Sequence, residues 1–103
     1  MSFTVVITRD VEDRFRGFLA SAMQEVAPGT YVNPKLSPAV RDRIWIVMED
    51  WFQARGRGGA SGGSILMAWG DNAQIGGLCL KSLGLPARTL SEVDGLLLVC
   101  RAP

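Results

Sequence analysis

Three runs in this chain, FTVVIT (residues 3–8), ILMAW (65–69) and GLLLVC (95–100), are apolar at nearly every position. A strand with one face in water alternates apolar and polar residues, whereas an unbroken apolar run marks a strand covered on both faces. Such strands need a layer on each side. The chain itself can supply one layer, because two of its segments repeat apolar residues at helical spacing. In the first, Phe15, Phe18, Leu19, Ala22, Met23 and Val26 form a single stripe. In the second, Val40, Ile44, Val47, Met48 and Trp51 form another, widened by Trp45 and Phe52 on its flank. Two helices cover one sheet face, which predicts a two-layer α/β (α+β) sandwich. The other face is then expected to meet a second copy of the chain, sheet against sheet, in a homodimer.

Local signals place the boundaries. Asp10 follows the first strand as an N-cap, with Asp13 three positions on near the positive end of the helix dipole. Pro28-Gly29 stops this helix, and TYVN (30–33) reads as a brief strand. Ser37-Pro38 opens the second helix, Ser as N-cap and Pro at the first helical position, and Arg55-Gly56 closes it. ARGRGGASGGS (54–64) is a hinge by composition, with glycines concentrated over 56–63. It lacks the Lys-Ser/Thr ending of a P-loop and is too short to be a domain boundary. Residues 75–83 and 95–100 read as further strands. Residues 1–103 are thus expected to form one domain.

Function is bounded most sharply by what is missing. There is no histidine, which removes His-based general bases, His-dependent triads and His metal ligands together. The two cysteines, Cys79 and Cys100, stand apart inside apolar runs and read as reduced core thiols rather than zinc ligands. Catalysis would have to use carboxylates, Lys, Tyr31 or a carboxylate-bound hard cation. The net charge is +1, so nucleic-acid binding would require a local cluster of basic residues. No apolar run approaches the ~20 residues of a bilayer span, and the N-terminus has no basic leader segment. A soluble, cytoplasmic protein with no membrane association is expected.

Arg14 and Arg16 are the basic residues whose setting raises a question. Two positions apart on a helix they do not face each other, and Phe15 between them points to the core. On composition alone they are solvated charges balanced by Glu12 and Asp13. An RNA-binding module would stack bases on strand aromatics, yet Phe3, Tyr31 and Trp69 do not form an alternating set. A generic dimeric RNA- or protein-binding module is therefore the weaker alternative.

Five segments in order, MSFTVVITRDVEDRFRGFLA, TYVN, RDRIW, ILMAWGDN and ARTLSEVDGLLLV, resemble the small type I-E CRISPR adaptation protein, the Cas "two" protein. The resemblance runs through nearly the whole chain apart from the glycine-rich stretch. It implies a ferredoxin-like sandwich with an antiparallel-rich sheet, dimerising through the sheet side. It also implies a role in spacer acquisition, in which the dimer sits between two dimers of the CRISPR integrase and helps to hold a protospacer DNA duplex. By position, the phosphate-contacting arginines of that family fall on Arg14, Arg16 and Arg88, and Ala87 stands where relatives often carry a second basic residue. Residues 95–103, with Leu96, Leu98, Val99 and Arg101, correspond to the region that pairs with the integrase.

The same family carries an endoribonuclease label, attributed to an acid at the end of the first strand that binds a divalent cation such as Mg2+ with its dimer mate. Two apposed carboxylates holding Mg2+ can activate water. Here that position is Arg9, which cannot ligate a cation. Asp10 is the remaining candidate catalytic and metal-binding residue, against its simpler duty as a helix cap. Metal-dependent nuclease activity therefore ranks below scaffolding, which requires no cofactor.

Overall fold

Strand β1 (Ser2–Arg9) buries every second residue: Thr4, Val6 and Thr8 are buried, while Phe3 and Ile7 are 54% and 38% exposed. The unbroken apolar run thus conceals an alternation, with one face packed and the other open. The computed structural model describes residues 2–55, 62–85, 88–94 and 96–101, with side chains over the last two stretches only at Asp94, Leu96 and Val99. After β1 come α1 (Asp13–Ala22), β2 (Gln24–Ala27), β3 (Thr30–Leu36), α2 (Pro38–Arg55) and β4 (Ser64–Gly70). A 3-10 turn (Ile75–Gly77) leads into β5 (Leu78–Leu83), and β6 (Arg88–Val93) and β7 (Leu96–Arg101) follow.

The first five strands form one sheet in the order β2-β3-β1-β4-β5, with every neighbouring pair antiparallel. The unit β1-α1-β2-β3-α2-β4 with that order is the doubled split β-α-β arrangement of ferredoxin-like α+β sandwiches. Strands β6 and β7 pair with each other as a separate hairpin. The core lies between the sheet and the two helices. Val6, Tyr31, Ile65 and Met67 from the strands meet Phe15, Leu19 and Met48 from the helices, all at most 1% exposed.

Helix α2 begins where its signal placed it. Ser37 Oγ accepts a hydrogen bond from the Val40 amide at 3.3 Å, and Pro38 is the first helical residue. Helix α1 departs from expectation at both ends. Its N-cap is Glu12, not Asp10; Asp10 sits in the left-handed region at φ 53°, where it turns the chain from β1 toward the helix layer. The helix stops at Ala22 rather than continuing to Val26, and Asn33 Nδ2 on β3 donates to the freed Ala22 carbonyl at 3.0 Å. Residues 24–27 become an edge strand instead. Backbone pairing with β3 holds them, although all four are exposed and carry no inward stripe. Gly29 makes the β2–β3 turn possible: at φ +75°, a Cβ there would stand 2.7 Å from the Thr8 carbonyl oxygen. The apolar runs also gave no sign of β6, although Asp94-Gly95 is a two-residue hairpin turn signal and Asp94 has φ 52°.

The sheet face away from the helices carries Phe3, Val5 and Ile7 on β1. Val32 on β3, Leu66 and Ala68 on β4, and Leu80 on β5 stand opposite or next in register and share that face. None of these residues is buried. Most of the glycine-rich stretch, residues 56–61, lies outside the described residues.

Candidate nucleic-acid interface

The end of the sheet where β1 stops and α1 begins gathers Asp10, Arg14 and Arg16 of the residues that the sequence marked. On α1, Phe15 is wholly buried, and Arg14 and Arg16 project roughly 200° apart around the helix axis. They therefore enter different surroundings. Arg14 leans toward α2, its guanidinium carbon 4.8 Å from the centre of the Trp51 ring and 5.5 Å from that of Phe15. Among the described residues it forms no ion pair and no side-chain hydrogen bond. It is an exposed cation braced on aromatic rings with its donors unclaimed.

Arg16 turns the other way, toward the β2–β3 hairpin. Its guanidinium nitrogen lies 3.3 Å from Glu25 Oε2. The Tyr31 hydroxyl and then the Glu25 carboxylate hold its pKa above the ordinary arginine value. The same Glu25 oxygen accepts the Gly29 amide at 3.0 Å. That amide is the first cause, ahead of Arg16, of a Glu25 carboxyl held below the ordinary glutamate range. Arg16 is thus balanced, but by Glu25 rather than by Glu12 or Asp13. A phosphate would have to compete with a carboxylate already in place.

Glu12 has another partner. Its Oε1 lies 2.8 Å from Arg55 Nε in an ion pair whose arginine side chain is 6% exposed and whose glutamate side chain is 41% exposed. This contact lacks the alignment of a hydrogen bond along the N–H. Arg55 is the last residue of α2, where the helix dipole favours a cation, and it stacks 4.8 Å from the Phe52 ring centre. The pair ties the start of α1 to the end of α2 and so sets where Arg14 meets Trp51. Sequence reasoning missed both this tie and the role of Trp51. The acidic residue at the helix start and the basic residue at the helix end were visible, but nothing in their spacing pairs them.

The metal-binding reading of Asp10 finds little company. Asp10 shares a shallow depression with Thr8, Val11, Arg16, Pro28 and Gly29, and the other charged side chain lining it is a guanidinium. Among the described residues no group of three or more acidic or thiol side chains converges. One carboxylate beside arginines does not make a hard-cation site within this chain. Asp10 is the one carboxylate among the residues lining that depression, so a two-carboxylate site would need the Asp10 of a second copy.

The remaining candidates lie on the β6–β7 hairpin. Its register sets Arg88 opposite Arg101, Leu90 opposite Val99, and Ser91 opposite Leu98. Leu96 and Val99 are 65% and 53% exposed. The side chains of Arg88, Leu98 and Arg101, and of Cys100, lie outside the described residues. The hairpin pairs with no strand of the main sheet and lies against the 3-10 turn at Ile75–Gly77. Cys79 behaves as the sequence suggested: it is a free thiol packed against the core, and burial pushes its pKa up.

The family described as "CRISPR-associated protein (Cas_Cas2CT1978)" matches residues 3–98 of the chain.

Proposed function

Because the chain belongs to this CRISPR-associated family, we propose that it is the spacer-acquisition scaffold of a type I-E-like system. In this reading two copies join through the open sheet face, the dimer lies between two CRISPR integrase dimers in the cytoplasm, and it steadies a protospacer DNA duplex by phosphate contacts. The observation that carries DNA binding is Arg14, an exposed guanidinium on the first turn of α1 with no carboxylate partner among the described residues. Contacts of this kind position a duplex without reading its bases. Arg16 would contribute more weakly because Glu25 competes for it, and Arg88 would add a third contact. The apolar residues Phe3 and Ile7, exposed on the outer sheet face, favour a second copy over water. The exposed Leu96 and Val99 of the β6–β7 hairpin, together with Leu98 and Arg101, would dock on the integrase.

The nuclease alternative has no observation in its favour. Two-fold symmetry around the end of β1 would bring together two Arg9 guanidiniums along with any pair of Asp10 carboxylates.

The test combines three measurements on the full chain. Co-purification with the integrase of the same operon is expected. Sedimentation equilibrium should give a dimer at micromolar concentration, and Ile7→Glu should give a monomer that retains its circular dichroism. A salt titration of duplex binding by the assembled complex should slope by about −0.9 per phosphate neutralised, regardless of DNA sequence. A monomeric wild type, failure to retain the integrase, or base-dependent losses in Arg14→Ala would each contradict the scaffold reading.

A further inference from the structure

Trp51 lies on α2, yet its immediate neighbours come from α1. The Phe15 ring meets it edge-on, with centroids 5.6 Å apart and planes at 86°, and the Phe18 ring meets it at 5.4 Å and 63°. Two such contacts from one helix fix both the place and the tilt of the indole. Arg14, on the same helix between Asp13 and Phe15, puts its guanidinium carbon 4.8 Å from the centre of that ring. The ring quadrupole attracts the cation there. The Glu12–Arg55 pair at 2.8 Å then fastens the helix start to the α2 terminus from which Trp51 projects, one turn before Arg55. Glu25 holds Arg16 by an ion pair and hydrogen bond at 3.3 Å. Among the described residues Arg14 is held by aromatic rings alone, and stacking leaves a guanidinium's in-plane N–H donors free for a second partner.

Resting on the DNA-scaffold reading, we propose that Trp51 is a positioning residue for phosphate recognition. It never touches the duplex, but it keeps the Arg14 guanidinium in the place from which it grips a backbone phosphate. A free arginine side chain loses rotamer freedom on gripping phosphate, and one already laid on a ring loses less. The ligand class is the phosphodiester of duplex DNA. The indole contributes preorganisation, so its removal should weaken binding without changing the number of charges that meet the DNA.

That distinction makes a test. Duplex binding is measured by fluorescence anisotropy across a salt series for the full chain with the integrase. The variants are Arg14→Ala, Trp51→Leu, Trp51→Phe and the double variant Arg14→Ala/Trp51→Leu. Arg14→Ala should flatten the log–log salt slope by about one unit. Trp51→Leu should weaken binding about two- to five-fold, the worth of an exposed cation–π contact, while leaving the slope at its wild-type value. Trp51→Phe should restore most of the affinity. In the Arg14→Ala background Trp51→Leu should cost nothing further, because there is no guanidinium left to position.

An independent signature needs no DNA. The Arg14 side-chain protons should be shifted upfield by the indole ring current in the proton NMR spectrum, and this shift should vanish in Trp51→Leu while remaining, reduced, in Trp51→Phe. Wild-type affinity in Trp51→Leu, or an equal loss in both backgrounds, would overturn the role of Trp51 while leaving the DNA reading in place. An Arg14→Ala variant with unchanged affinity and slope would remove the phosphate contact itself, and the positioning role with it.

Discussion

Glu12→Ala should destabilise this fold by more than an exposed carboxylate ordinarily could. The reason lies in its partner: Arg55 is 6% exposed at the side chain, and its Nε is 2.8 Å from Glu12 Oε1. Removing one member of a fully buried ion pair costs about 3–5 kcal/mol, since the other charge stays behind without compensation. Here Glu12 is 41% exposed, so water can reach some of the vacated space. The Phe52 ring also remains beneath the guanidinium at 4.8 Å. Discounting for both leaves about 2 kcal/mol. In a domain of this size that corresponds to a melting-temperature loss of about 8–16 °C. No capping loss is added, because the Glu12 side chain makes no hydrogen bond to the helix it precedes. Thermal and urea unfolding at one fixed protein concentration would measure the change. The double variant Glu12→Ala/Arg55→Met removes the stranded charge and should regain most of the loss, as replacements of ion pairs by apolar groups do. A Glu12→Ala change under about 0.5 kcal/mol would refute the reasoning, since that is ordinary for an unconstrained surface site. So would a double variant no more stable than the single.

Three further outcomes follow from the β2–β3 hairpin. Glu25→Gln keeps an acceptor for the Gly29 amide but removes the charge that competes for Arg16, so duplex affinity should rise about two- to five-fold at low salt, and the gain should disappear in an Arg16→Ala background. The wild-type Glu25 carboxyl is held below its ordinary range, first by the Gly29 amide. Its contribution to stability is therefore present above the usual glutamate pKa of about 4.3 and is lost as the pH falls through the lowered folded value. An NMR titration of the Gly29 amide that moved at the unperturbed glutamate pKa would contradict this. Gly29→Ala should cost about 1–3 kcal/mol in unfolding experiments, because φ +75° and a Cβ 2.7 Å from the Thr8 carbonyl oxygen cannot both be relieved. A variant as stable as wild type would show that the turn can be rebuilt without glycine.

The sequence by itself determined both helices as objects, through their apolar stripes, and the start of α2 through Ser37-Pro38. It determined that β1 and β4 would be strands and that the helices would cover one sheet face. By lacking histidine it also bounded the chemistry that this fold could carry. These are properties of neighbours in the chain, and periodicity reports them directly. The tertiary structure decided everything that depends on which distant segment comes alongside. Residues 24–27 are a strand because β3 offers them a ladder, not because their side chains ask for one. Asp10 turns left-handed rather than capping α1 because the chain must swing from the sheet to the helix layer there. Arg14, Arg16 and Arg55 are alike as letters, yet one rests on Trp51, one is held by Glu25 and one is buried against Glu12. A guanidinium takes whichever acceptor, ring or solvent the fold places within a few ångströms. That choice is made in space, by packing between elements far apart in the chain.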